Sequence, residues 1–217
     1  MLNFVGLSLP TAYGINLFVI PFSSMVGAFS HRRNIEYKIG LYMMVGGSLG
    51  SITGAFLVGL IKPLILAIIF VTVTFITVTG IYINKLAPKL AERIRPNPGG
   101  IFFGAFLLNV VTGMRGGSGG SLFPPFLKAM GLDIHRAIAT SLFVTIFTAV
   151  AACIIYWHRG DIAWLPALSV LVGSMIGARL GSKASLKTKP VWLEIGLSVL
   201  VLILASLVIY KAISRGA

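Results

Sequence analysis

The sequence predicts an all-α, polytopic membrane protein built from two related halves, and three observations carry that prediction. Apolar runs of about 20 residues, the length a helix needs to cross a bilayer, alternate with short basic loops. Of 217 residues, 57% are hydrophobic and only 11% charged, against about 25% charged in a soluble domain. Blocks of the first half recur in the second at a nearly constant spacing.

The formal net charge of +13 points at first to nucleic acid. The 18 Lys and Arg residues, however, lie mostly in short loops between apolar runs, where the cytosolic cations of a membrane protein belong. A mean hydropathy of +0.96 leaves no soluble face long enough to carry a basic patch, so no nucleic-acid partner is expected. The single Cys153 excludes an intramolecular disulfide and a thiolate metal cluster, and no metal or other cofactor is expected. The chain opens apolar, without a basic leader or a small-residue cleavage site, which speaks against a cleaved signal peptide.

Residues 1–9 are too short to span, and Thr11 to Ser30 makes the first span, closed by His31-Arg32-Arg33-Asn34. Tyr37 to about Leu60 is the second and Pro63 to Ile83 the third, with Lys62-Pro63 at the turn because proline suits a first helical turn. Residues 85–98 hold Lys85, Lys89, Arg93, Arg95 and two prolines, and read as a linker. They divide an N-terminal repeat, 1–84, from a C-terminal repeat, 99–217. An apolar segment from about Gly99 to Met130 follows, then spans at Arg136–Trp157, Ile162–Ser182 and Val191–Tyr210. That makes about seven apolar spans, counting the broken one. Trp157, Trp164, Trp192 and Tyr210 sit at span ends, the interfacial aromatic pattern.

The repeat is read directly from the chain. Gly6-Leu7, Ala12 and Leu17-Phe18-Val19 recur 125 residues later as Gly131-Leu132, Ala137 and Leu142-Phe143-Val144. His31-Arg32-x-Asn34-Ile35 answers His158-Arg159-x-Asp161-Ile162, and Gly46, Gly50, Gly54 answer Gly173, Gly177, Gly181, both at a shift of 127. Internal repeats of this kind build many secondary transporters, and the two glycine stripes are packing signals. The counterpart of the broken segment would fall ahead of residue 1. The first half thus begins one segment late, as a start read too far downstream, a truncation or a fragment would produce.

The broken segment centres on Gly113-Met114-Arg115-Gly116-Gly117-Ser118-Gly119-Gly120-Ser121-Leu122-Phe123-Pro124-Pro125. Its glycines and paired prolines interrupt a helix, and interrupted backbone at membrane depth belongs in protein or beside a cavity. Read as one crossing, it places 10 basic residues on one side against 6. Read as a re-entrant hairpin of two half-helices of 12 to 14 residues, it places 12 against 4 and inverts the two repeats. The second count satisfies the positive-inside rule better.

Glycine N–H groups can converge into an anion nest, and Arg115 adds a planar fork for an oxyanion. An ionisable residue inside an apolar segment is a functional residue by default. The candidate contacts are therefore Arg115, Gly116, Gly117, Ser118, Gly119 and Gly120, with the hydroxyls of Thr112 and Ser121 alongside. Asn16, Asn109, Thr140 and Ser141 form a second group lining the path. No carboxylate lies deep in a span, so no acidic proton relay is legible. Gly116-Gly117-Ser118-Gly119 also fits the Gly-x-Ser-Gly of rhomboid-type intramembrane proteases, but His31, His135 and His158 all fall at loops or span ends. No catalytic residue is therefore assigned. An anion channel is the third reading, separated by a conductance that does not saturate.

Gly117-x-Gly119-Gly120-x4-Pro125, Ala137-x-Ala139-Thr140-Ser141-Leu142, Gly160-x-Ile162-x-Trp164 and Gly173-x3-Gly177-Ala178-x2-Gly181 together resemble the TauE/SafE sulfite exporter family. The likeness covers about Ile101 to Tyr210 closely and the first half, from Gly6, more loosely. It implies a multi-pass cell-membrane transporter of sulfite, sulfonates or related organosulfur anions, built from two repeats. Ser121 stands where the family often has another glycine. The partners expected are a small anion and the lipid bilayer, and the sequence is compatible with a homo-oligomer.

Overall fold

The computed structural model describes residues 9–58, 60, 63–86, 97–114 and 116–213. Among these the chain is helical and contains no strand. The order is α1 (Leu9–Ser30), α2 (Tyr37–Phe56), α3 (Pro63–Leu86), α4 (Pro98–Gly113), α5 (Phe123–Ala129), α6 (Ile134–His158), α7 (Trp164–Lys187) and α8 (Pro190–Ile213). Five of these, α1, α2, α6, α7 and α8, contain stretches long and apolar enough to cross a membrane.

Local chemistry sets the boundaries. Asn97 caps α4 by accepting from the Gly100 N–H, with Pro98 in the first turn, where its missing N–H costs nothing. Asp133 caps α6, accepting from the His135 N–H at 3.0 Å. Tyr37 and Trp164, which open α2 and α7, lie 127 positions apart, and so do Pro63 and Pro190, which open α3 and α8.

The broken segment turns back on itself. Beyond Gly113 the chain runs through a loop and a 3-10 turn at Gly119–Ser121 before α5 begins. The Phe126 ring lies on Gly104, where any Cβ would strike it. Leu122, Phe123 and Leu127 share one core with Ile101, Ala105 and Leu108 of α4. The arms are unequal, 16 residues in α4 and 7 in α5, where two arms of 12 to 14 were expected. The short arm is bounded by Pro124 and Pro125 in its first turn and by Gly131, at φ +91°, just beyond its end. Proline is tolerated at a helix start but not further in, so α5 cannot begin earlier.

Four sets of contacts fix how the helices run. Gly46, Gly50 and Gly54 of α2 face the carbonyl oxygens of Phe102, Phe106 and Val110 of α4 so closely that no side chain fits between, and the two helices run parallel. Glu36, just before α2, pairs with Arg136 of α6, and its N–H donates to Thr140 Oγ1 at 3.0 Å. His31, just after α1, bonds Ser185 Oγ near the end of α7 at 2.9 Å. The loops at 31–36 and 130–133 and the end of α7 therefore share one end of the bundle. Gly27, late in α1, lies on Leu142, early in α6, so α1 and α6 run in opposite directions.

Candidate functional site

The hub of the interior is Asn109, fully buried on α4. Its Oδ1 accepts from the Gly119 N–H at 2.8 Å and from Ser51 Oγ of α2 at 3.1 Å. Its Nδ2 donates to the Ala105 carbonyl at 3.2 Å. One amide thus joins α4, α2 and the glycine loop, satisfying groups that would otherwise be costly in an apolar medium. Gly47 of α2 lets this happen, since a Cβ there would press on Asn109 Nδ2 and the Thr148 methyl.

The loop is held from the other side by α1. Asn16 Nδ2 donates to the Gly116 carbonyl at 2.9 Å. Gly116 has φ +63° and packs against Tyr13, so it needs both the left-handed backbone and the absence of a side chain. Facing Gly120 is Thr145 of α6, whose buried Oγ1 has no hydrogen-bond partner among the described residues. Thr148, one turn on, is fully buried and bonds the Thr145 carbonyl at 3.3 Å. A buried hydroxyl left unsatisfied costs on the order of 1–3 kcal/mol, which makes it a natural contact for a passing polar group.

The backbone donors of the loop are largely in use. Gly116 N–H donates to the Gly113 carbonyl, Gly117 to Thr112, Gly119 to Asn109 Oδ1 and Gly120 to Ser118. A solute reaching these N–H groups must displace an internal acceptor first. The converging open nest expected from the glycines is therefore closed in this conformation.

The structure gathers Asn16, Asn109, Gly116, Ser118, Gly119 and Gly120 into one neighbourhood. Thr140 is placed elsewhere, holding the start of α2 through Glu36, and Ser141 bonds the Ile138 carbonyl one turn before Thr145. Arg115 lies outside the described residues. Ser51, Thr145 and Thr148 were missed from sequence. The signal for two of them was present, because Ser141, Thr145 and Thr148 form a polar stripe at helical spacing on an otherwise apolar span.

A cavity of about 700 Å³ opens at the start of α6, lined by Glu36, Ile39, Met130, Gly131, Leu132, Asp133 and Arg136. Arg136 and Thr145 are nine residues apart, roughly 13 Å along the helix, so this cavity is separate from the glycine loop. Nearby, Lys128 in the last turn of α5 pairs with the buried Glu194 of α8 at 3.0 Å. Among the described residues no cluster of side chains is suited to hold a metal ion.

A helical chain with several membrane-length apolar helices and a buried polar cluster around interrupted backbone is a multi-pass membrane transporter in its general class. The comparisons make this specific. The family described as "Sulfite exporter TauE/SafE" matches residues 1–208, and the chain belongs to that family. It is 31% identical over 182 residues to "Probable membrane transporter protein YdhB" of Bacillus subtilis (strain 168), covering 80% of this chain and 74% of the relative. It is 24% identical over 223 residues to "Probable membrane transporter protein YunE" of the same organism, covering 93% and 81%. No solved structure matches. The family consists of transporters, so the protease reading of Ser118 is set aside.

Proposed function

We propose that this protein carries a small oxidised sulfur anion, such as sulfite or a sulfonate, across the cell membrane, with the α4–α5 turn-back as a re-entrant element holding the solute site. The observation that carries the reading is Asn109, a fully buried amide pinning the N–H of Gly119, next to Gly120, which faces a Thr145 hydroxyl with no partner among the described residues. Polar groups this deep in an apolar bundle are expensive and mark solute pathways. The anion would be met by Arg115, Thr145 Oγ1, Ser118 and the N–H groups of Gly116 to Gly120, once their internal acceptors give way. The family name supplies the substrate class by analogy, because a fold does not by itself fix the solute.

The topology reading has its own support. Counting α3, 24 residues long, and the turn-back with the five membrane-length helices makes seven membrane elements. Matched helices begin 127 positions apart, and α1 runs opposite to its counterpart α6, as inverted repeats require. The loops gathered at the Glu36–Arg136 end are those the charge count assigns to the cytoplasm.

The test is uptake into proteoliposomes of labelled sulfite, with methanesulfonate, sulfate and chloride as competitors. Saturable sulfite flux that sulfonate suppresses and chloride does not supports the reading. A conductance that rises linearly with anion concentration would instead make this an anion channel.

A further inference from the structure

Besides Thr145, α6 carries a second buried hydroxyl without a partner among the described residues. Tyr156 is fully buried, and its Oη makes no hydrogen bond. The two residues are 11 positions apart, close to three full turns, so they lie on one face of the helix, roughly 16 Å from each other. Between them on that face are Thr148, Ala149 and Ala152, all fully buried, while Val150, Ile154 and Trp157 on the opposite face are exposed. A phenylalanine would fill the place of Tyr156 without burying an unsatisfied hydroxyl, so packing alone gives no reason for the phenol.

Tyr156 stands between the glycine loop and the charged end of α6. Its ring belongs to a core with Leu17 of α1, Ala55 of α2, Ala149 and Ala152. Tyr13 packs against that core and also lies on Gly116. Toward the helix end, the guanidinium of the exposed Arg159 lies 5.9 Å from the Tyr156 ring. The turn that carries this arginine is fixed by the Asp161 N–H, which donates to the Tyr156 carbonyl at 3.0 Å. From its end inward, α6 thus presents a cation, a buried phenol, two alanines, Thr148 and the Thr145 hydroxyl facing Gly120.

We infer that the seam between α1 and α6 is the outer leg of the solute route, and that Tyr156 Oη is an anion subsite on it. There the phenol donates its hydrogen bond to an oxygen of a small oxidised sulfur anion on its way to Thr145 and the glycine loop. The inference rests on the reading of that loop as the solute site and of the Glu36–Arg136 end as cytoplasmic, which puts Tyr156 and Arg159 on the outer side. An oxyanion is the class that fits. A desolvated O–H gives it a short charge-assisted hydrogen bond, and Arg159 at the mouth draws anions and repels cations. The alanines leave the seam little side chain to move aside. Passage still requires α1 and α6 to separate, because Leu17, Ala149 and Ala152 are fully buried here.

One test reads the route without needing transport. In intact cells, the full chain carrying Cys153→Ala is treated from outside with 2-sulfonatoethyl methanethiosulfonate, a membrane-impermeant thiol reagent that is itself a small sulfonate. Ala152→Cys, one turn inward from Tyr156, should label at least about tenfold faster than Ile154→Cys on the exposed face, because a charged reagent does not cross apolar lipid to reach a thiol. Ala149→Cys, a turn deeper, gives the same reading where the first variant does not fold. Equal rates on the two faces overturn the inference, whatever the solute proves to be. Tyr156→Phe then isolates the hydroxyl. It should raise the half-saturation concentration of sulfite flux in proteoliposomes about tenfold, the worth of roughly one charge-assisted hydrogen bond, while the melting temperature holds or rises. An unchanged half-saturation concentration, or a fall in melting temperature that accounts for the lost flux, overturns the subsite. A wild type without sulfite flux defeats the substrate reading instead, and the labelling rates then decide the route on their own.

Discussion

Asn109 Oδ1 and the Gly119 N–H meet at 2.8 Å, joining the middle of α4 to the glycine loop that follows it. Asn109→Leu removes the acceptor and strands the Gly119 N–H and the Ser51 hydroxyl in an apolar interior. The expected cost is about 1–3 kcal/mol, read as a lower unfolding temperature in detergent, together with lost anion flux. An unchanged melting curve would show that water or another group satisfies the loop.

The Gly116 position separates two kinds of strain. Gly116→Ala forces a side chain into the left-handed region, at roughly 1–2 kcal/mol, and also into Tyr13. Tyr13→Gly introduced with it removes both the Cβ and the ring that the new methyl strikes, so it should recover the steric part of the loss, less about 1 kcal/mol for a glycine within a helix, and leave the backbone part. Full recovery in the double variant's melting temperature would mean that the left-handed backbone is not a constraint.

Much of this was legible in advance, because long apolar runs with basic ends leave a helix little freedom over where to begin. The spans at Tyr37 and Pro63 start where the sequence reading put them. The packing of the turn-back was not legible. Pro124, Pro125 and Gly131 bound the short arm locally, but its fit on α4 depends on where Phe126 finds Gly104, a contact between residues 22 positions apart. The state of the loop donors was hidden for a related reason. Glycines advertise available N–H groups, but whether Asn109 and Thr112 already occupy them is decided by the folded backbone. The two glycine stripes share one spacing in sequence, and only the packing shows that α4 closes on the first while no described residue closes on the second.

The Lys128–Glu194 pair ties the short arm of the turn-back to α8, with the carboxylate buried and the ammonium partly wet. Glu194→Gln leaves the lysine in a poor environment and should destabilise by about 1–3 kcal/mol, less than for a fully buried pair because Lys128 keeps some water. Exchanging the charges, Lys128→Glu with Glu194→Lys, should restore most of the loss in a thermal melt. Failure of the exchange would assign the effect to packing and not to charge.

Burial, with His135 nearby as a lesser cause, holds the pKa of His31 below its ordinary value of 6.5. The unfolded chain therefore takes up this proton first as pH falls. The contribution to stability is complete above about 6.5 and is lost as pH drops through that value toward the lower folded pKa. His31→Gln, which can still reach Ser185, should flatten the pH dependence of unfolding between about pH 7.5 and 5.5. An unaltered acid limb would place the titration elsewhere.

The central claim is that the glycine loop and its surroundings bind the transported anion. Labelled sulfite flux in proteoliposomes, compared among wild type, Arg115→Ala and Thr145→Val, tests it most directly. Both variants remove a contact proposed to meet the anion, and each should lower flux at least roughly tenfold, the loss of about one charge-assisted hydrogen bond, while the melting temperature stays near wild type. Wild-type flux in both variants would contradict the account.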